Sequence, residues 1–275
     1  MAAKGCIIGQ LAGSLAQTIS WIIAISLFSY TAAGLTLFLM QGKMIYQPDD
    51  QNLADCTLPE GAVFWQQNDE QGILSAAGND KLLIFFHGNA DSACNWRYLG
   101  VNHLNPLGYD VLVMEYPGYG GDARPPGKGL IEDMIVVSNA WVVAENYTET
   151  VVMGYSLGTG AASIYAAQFG ADAVILFAPY DSIYEVARGQ GIDYPRFLLT
   201  EDFDNITSLS DVDAPISIVH GALDQVIPAS HSANLATVLQ ANGRDVTRRV
   251  LPNTGHTGLF ETPFFDTFLT EILTD

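Results

Sequence analysis

Positive charge is scarce in this chain: 11 Lys and Arg stand against 30 Asp and Glu, a formal charge of −19 over 275 residues. Every acidic residue lies beyond position 48, and residues 44–275 hold 9 of the basic ones. A surface of that sign repels nucleic-acid phosphates and anionic lipid headgroups, so no nucleic-acid partner is expected. Solubility accounts for the acidity better than a cation site does. Cysteine is nearly absent as well. Cys6, Cys56 and Cys94 have no metal-ligand spacing and are odd in number, which indicates neither a zinc site nor a disulfide framework and leaves packing as their expected role. A Cys56–Cys94 bridge would require the domain to face an oxidising compartment. Internal repeats and low-complexity linkers are missing too, while 49% hydrophobic content supplies a sizeable core and excludes disorder.

Charge of either sign is missing from residues 5–42, and within them "ISWIIAISLFSYTAAGLTLFLM", residues 19–40, is one apolar run. About 20 such residues cross a bilayer core as a helix. The run is long for the apolar region of a cleaved signal peptide, and its small residues "YTAAG" fall in its middle, so a retained single-pass N-terminal anchor is expected. The preceding "GCIIGQLAGSLAQT" is open to three readings: an interfacial segment, an extension of the helix, or a loosely ordered stretch. Lys4 and the amino terminus outweigh Lys43 by one charge, a slight lean toward a cytoplasmic N-terminus with the domain outside. The chain therefore divides into an anchor, 1–43, and a domain, 44–275.

From position 44 short apolar runs alternate with helical patterns. "GAVFWQQ" and "GILSAAG" flank "NDEQ" as a hairpin, and "KLLIFFHGN", "YDVLVMEYPGYG", "ETVVMGYSLG" and "ADAVILFAPYD" read as strands buried on both faces, the pattern of a parallel sheet. Helices are expected over 93–105, 129–146 and 157–169, with two further strands in "PISIVHG" and "TRRVLPN". The fold class is α/β: a doubly wound, mostly parallel sheet flanked by helices, with an N-terminal transmembrane helix.

Within it, "GYSLG" places Ser156 in a G-x-S-x-G motif between a strand and a helix. With 26 glycines in the chain the motif alone can arise by chance, so its context decides. A sharp strand-to-helix turn lifts the serine hydroxyl above the sheet's carboxyl edge, as a nucleophile elbow requires. Gly154 and Gly158 remove Cβ atoms where strand and helix crowd together. Serine needs a general base, and the base an orienting partner. Of five histidines, His256 follows the last strand in the glycine-flanked loop "PNTGHTGLF", where a base would be presented. His87 and His220 end strands and read as structural or loop-positioning, and His103 and His231 fall in helical stretches. Asp224 sits past the penultimate strand; Asp202, Asp211 and Asp213 are rivals in an acidic stretch that reads as a solvated face. Oxyanion donors are expected from the backbone N–H groups of Leu157, directly after the nucleophile, and Asn89, in the loop after "LLIFF".

These motifs resemble the α/β-hydrolase superfamily over essentially everything from Lys43 onward, and within it the membrane-anchored bud-emergence-type serine hydrolases, relatives of prolyl-aminopeptidase-like and depalmitoylase-like enzymes. The resemblance is carried by "GKMIYQP", "FFHGNA", "EYPGYG", "VVMGYSLGTGAA", "APYDSI", "HGALDQVIP" and "GHTGLF". It implies Ser156 as nucleophile, Asp224 as acid and His256 as base, with Asn89 and Leu157 at the oxyanion hole. Members often carry Asp and Arg where this chain has Glu115 and Pro117, and a small residue at Asp91. Residues 182–211 stand where many hydrolases insert a cap. Their shortness implies an open or shallow site, and "GIDYPRFLLTEDFD" within them reads as a surface helix packed on the sheet. The expected activity is cleavage of a carboxylic ester or thioester of a small-molecule or lipid acyl substrate through an acyl-enzyme, with no metal or organic cofactor. A peptidase or amidase would use the same triad, and a silent hydrolase fold serving as an interaction module would lack its chemistry.

Overall fold

The computed structural model describes residues 2–260 and 264–274. Its centre is one eight-stranded sheet in the order β1-β2-β4-β3-β5-β6-β7-β8, with strands β1 (Ala62–Gln67), β2 (Glu70–Ser75), β3 (Lys81–Phe86), β4 (Tyr109–Glu115), β5 (Glu149–Tyr155), β6 (Ala173–Phe177), β7 (Ile216–Gly221) and β8 (Val246–Leu251). The hairpin β1–β2 turns at Asn68, whose positive φ of 54° suits asparagine. It joins the rest through an antiparallel β2–β4 pairing, and every later pair is parallel. The strands β3 to β7 read as unbroken apolar runs because alternate residues enter different cores: Leu82, Ile84 and Phe86 face one, Leu83 and Phe85 the other. Helices α2 (Lys128–Glu145), α3 (Gly158–Phe169), α5 (Asn205–Leu209) and α6 (Ser230–Ala241) cover the first, and α7 (Phe264–Thr274) the second. The sheet is thus doubly wound.

The helix expected over 93–105 is replaced by short pieces: 3-10 turns at Ala93–Trp96 and Asn105–Leu107 around a π turn at Gly100–Leu104. Gly100 lies so close to Ser75 and Val111 that a Cβ would overlap Ser75, and Pro106 followed by Gly108 at φ 89° stops regular winding. The same region corrects the reading of the cysteines: Cys56 and Cys94 are disulfide-bonded, across 38 residues of chain. Nothing in their spacing encoded that pairing. It comes from the segment before β1, tied by the Leu53 N–H to the Gly120 carbonyl after β4, meeting the loop after β3.

Helix α1 runs unbroken over Ala2–Ile45, so the residues before the apolar run extend the helix. Its residues 15–33 are all exposed, contact with the domain begins at Tyr30, and burial begins at Gly34 and recurs at Leu37, Gln41 and Ile45, one helical stripe. By length and composition the helix can cross a membrane. The cap is short, with α4 (Ile183–Gly189), a 3-10 turn at Arg196–Leu198 and α5. No helix forms on the sheet over residues 191–204. Instead this segment packs on α1: Tyr194 stacks on Tyr30 with ring centroids 4.7 Å apart, and Gln41 bonds the backbone of Leu198, Thr200 and Glu201. Its apolar residues serve a helix distant in sequence, which their own spacing could not reveal.

Candidate active site

Strand order reverses at β3, since β4 lies on one side of it and β5 on the other; crevices at the carboxyl edge of such a switch point receive ligands. The loops after β3 and β5 meet there. After β5 the chain turns at Ser156 with φ 52°, a conformation that costs a non-glycine residue energy and persists only where the surroundings enforce it. Enforcement comes from the Ser156 N–H bonded to the Phe177 carbonyl at 2.9 Å, and from the Ser156 carbonyl, which accepts from the Thr159 N–H at 3.0 Å and the Thr159 hydroxyl at 2.7 Å. A Cβ on Gly154 would meet the Gly158 carbonyl, and one on Gly158 would overlap the carbonyl oxygens of Phe86 and His87. Small residues therefore let α3 start directly beneath the serine, its positive dipole end toward the hydroxyl.

His256, after β8, places Nε2 2.9 Å from Ser156 Oγ and Nδ1 2.6 Å from Asp224 Oδ2. Asp224, after β7, takes its other oxygen to the Val226 and Ile227 N–H groups, both at 2.9 Å. With Nδ1–H donated to a carboxylate, the Nε2 lone pair is left for the serine proton. Burial by itself would raise the Asp224 pKa; bonds from His220, His256 and the Ile227 amide outweigh it and hold the carboxyl well below the usual range. Leu157 begins the turn into α3. Gly88 lies against the elbow, where a Cβ would stand 3.5 Å from Ser156 Cβ, and this brings Asn89 beside it. The Asn89 side chain donates to the Ile45 carbonyl at 2.6 Å and accepts from the Gln47 N–H at 2.8 Å and the Tyr119 hydroxyl at 2.7 Å.

Residues 81–198 match the alpha/beta hydrolase fold family. An uncharacterised protein of Mycobacterium tuberculosis is 27% identical over 251 residues, spanning 84% of this chain and 86% of that one. The lysophosphatidylserine lipase of Rattus norvegicus is 27% identical over 208 residues, 66% of this chain and 52% of the lipase. In fold, the chain superposes on the Pyrococcus furiosus esterase Pf2001 with a TM-score of 0.63 at 18% identity, covering 84% of this chain and 97% of the esterase. The chain has the α/β-hydrolase fold.

For this chain the fold and relatives support hydrolysis as the class of reaction. All five histidines pair with carboxylates, so pairing alone does not single out a base; His256 is distinguished by its second nitrogen, which meets the serine hydroxyl. His103 bonds Asp266 at 2.6 Å and His231 bonds Asp181 at 2.8 Å. His87 is fully buried with Nε2 3.0 Å from Glu115 and Nδ1 2.8 Å from the Gly88 carbonyl. Burial by itself would lower the His87 pKa; the Glu115 bond and charge outweigh it and raise it. Glu115, a departure from the family pattern, thus holds the ring under the Gly88–Asn89 loop. Asp91, another departure, ties down the turn after that loop through the Asn95 amide at 2.8 Å and the Trp96 indole N–H at 2.6 Å.

Two contacts were missed by sequence reasoning. His220 Nε2 lies 3.1 Å from Asp224 Oδ2 and 2.8 Å from the Ile227 carbonyl, so a residue read only as loop-positioning touches the acid itself. The spacing of His220 and Asp224 across one strand end was the available signal. Tyr155, the residue before the serine, donates its hydroxyl to the His256 carbonyl at 3.0 Å and so steadies the loop that presents the imidazole. The rival aspartates are occupied elsewhere: Asp202 with Arg196 and Asp213 with Arg244, and Asp211 is exposed.

Proposed function

We propose that the chain is a membrane-anchored serine hydrolase that cleaves a carboxylic ester or thioester through an acyl-enzyme. One observation carries the reading: His256 bridges Ser156 Oγ at 2.9 Å and Asp224 at 2.6 Å. In the first step His256 Nε2 takes the Ser156 proton as Oγ attacks the substrate carbonyl. Asp224 fixes the tautomer and stabilises the imidazolium that forms. The oxyanion of the tetrahedral intermediate is met by the backbone N–H groups of Leu157, at the start of α3, and Asn89, in the loop after β3, each such donor contributing about 3 kcal/mol. The imidazolium then protonates the leaving alcohol or thiol, and water repeats the cycle on the acyl-enzyme. His256 and Ser156 are only slightly exposed, 12% for the imidazole, which leaves room for a substrate from one side. The name of the lipase relative and the anchor helix favour a lipid or lipidated acyl substrate.

The Cys56–Cys94 bridge supports a domain outside the reducing cytoplasm, with the N-terminus inside; protection of the domain from protease in sealed inside-out vesicles is the expected result, and cleavage there would reverse the orientation. For the chemistry, a fluorophosphonate probe should label the wild type and leave Ser156→Ala unlabelled. Turnover of esters should fall about 10⁴-fold or more in His256→Ala and persist in His103→Ala and His231→Ala. Equal labelling of Ser156→Ala refutes the nucleophile, and a panel of ester, thioester and aminoacyl-amide substrates identifies the bond cleaved.

A further inference from the structure

Helix α1 and the cap flank an apolar groove with a cavity volume of about 100 Å³, walled by Phe38, Met44 and Ile45 on one side and Ile183, Ala187 and Leu198 on the other. Gly34 admits the close approach, since a Cβ there would stand 3.1 Å from the Tyr194 ring. The groove's one amide is already committed: Gln41 Nε2 donates to the Phe38 and Leu198 carbonyls and Oε1 accepts from the Thr200 and Glu201 N–H groups. No charged side chain lines it. Apart from Tyr184 and Tyr194 the rest of the lining is apolar, so hydrocarbon fits it better than a headgroup, a peptide or a sugar.

Position names the source of that hydrocarbon. Residues 15–33, all exposed and touching the domain through Tyr30, are about the length that crosses a bilayer core, and the groove lining starts at Gly34. Beside it Phe197 is 80% exposed and Leu35 57%, so its outer end opens sideways onto the surface a bilayer would cover. The inner end points to the chemistry. Ile45 and Ile183 pack against the buried cluster containing Leu157 and Tyr180, the Tyr180 hydroxyl bonds the Leu157 carbonyl at 3.1 Å, and the Ile45 carbonyl holds the Asn89 amide. We propose that this groove takes the acyl chain of a bilayer-borne ester or thioester, entering laterally between α1 and the cap so that its carbonyl reaches Ser156. The assignment of substrate rests on the serine-hydrolase reading above.

The full chain is reconstituted in phosphatidylcholine vesicles containing free palmitate with a mid-chain diazirine, irradiated, and its adducts mapped by peptide mass spectrometry. Adducts are expected on residues 183–199 as well as on the exposed residues 15–33. An indole in the groove displaces several methylenes, so Ala187→Trp and, separately, Met44→Trp should lower the 183–199 to 15–33 adduct ratio about tenfold. Val143→Trp, on the exposed face of α2, should keep the wild-type ratio. Labelling of 183–199 no stronger than that of α2, or a wild-type ratio in both groove variants, overturns the proposal. Free palmitate needs no turnover, so the two readings separate: a probe-reactive Ser156 without palmitate in the groove overturns the groove alone, and palmitate in the groove without probe reaction supports the site and overturns the hydrolase.

Discussion

Replacing Asn89 by alanine tests whether helix α1 and the loop carrying the proposed oxyanion donor form one mechanical unit. The amide makes three bonds, two of them to the backbone on either side of Tyr46 where α1 ends, at 2.6 and 2.8 Å, and one to Tyr119 at 2.7 Å. At about 1 kcal/mol net for each bond, truncation costs about 3 kcal/mol. Gln47 is exposed and keeps a contact of 3.2 Å with the Tyr119 hydroxyl, so water and that contact return part of it and about 2 kcal/mol remains. For a chain of this length that lowers the melting temperature by about 4–8 °C. The larger effect falls on rate. Complete loss of an oxyanion donor costs about 10²–10³ in kcat; a backbone N–H that is loosened but still present should cost about 10-fold or more, with KM for a short soluble ester little altered. Differential scanning fluorimetry in detergent and p-nitrophenyl acetate turnover measure the two. A lowered melting temperature with kcat within about twofold of wild type would show that the amide only fastens the anchor, and the coupling argued from its geometry would be wrong.

The depressed pKa of Asp224 makes it a source of pH-dependent stability: its contribution is complete above about pH 4, where the unfolded carboxyl is ionised, and is lost as pH falls toward the lower folded value. Denaturant titrations at pH 6 and pH 3 should show a smaller loss in Asp224→Asn than in wild type; equal losses refute this. Gly158→Ala places a methyl group on the carbonyl oxygens of Phe86 and His87, backbone atoms that cannot rotate away. It should cost about 3 kcal/mol and nearly all turnover, and a variant that melts like the wild type would mean that β3 and α3 are less tightly apposed. Reduction of Cys56–Cys94, which closes a loop across 38 residues, should cost about 2–4 kcal/mol in urea titrations with and without dithiothreitol; superimposable curves would leave the bridge without a stabilising role.

Much of the fold was legible because its signals are local. A central parallel strand must be apolar on both faces, so β3, β5 and β6 announce themselves as continuous runs, and Gly154, Ser156 and Gly158 mark a turn whose crowding is set by residues a few positions apart. The strand order was not readable, since the crossover that puts β4 outside β3 leaves no mark in either run. The histidines show the same boundary. His256 was singled out by where its loop lies, while His220 on Asp224 and His87 on Glu115 depend on how neighbouring strands are aligned.

The cap and anchor show why the remainder escaped. The apolar residues of 192–199 have no helical period because they fit the side of α1, and the stripe Gly34, Leu37, Gln41, Ile45 is invisible inside a run that is apolar all round. A span read from hydropathy centres on residues 19–40, whereas packing leaves 15–33 exposed, stacks Tyr30 on Tyr194 and seats the stripe from Gly34 to Ile45 on the domain. The boundary suggested at Lys43 therefore falls inside a helix whose final carbonyl, on Ile45, holds Asn89. Just beyond it the Tyr46 hydroxyl donates to Glu201 at 2.7 Å, and the same carboxylate oxygen accepts the first N–H of α2 from Lys128 at 2.7 Å. Composition changes at Lys43, but the contacts do not. The last turns of the apolar helix belong physically to the wall of the candidate site, and a helix that looks like a tether in the sequence supports the loop after β3 that carries the proposed oxyanion donor Asn89.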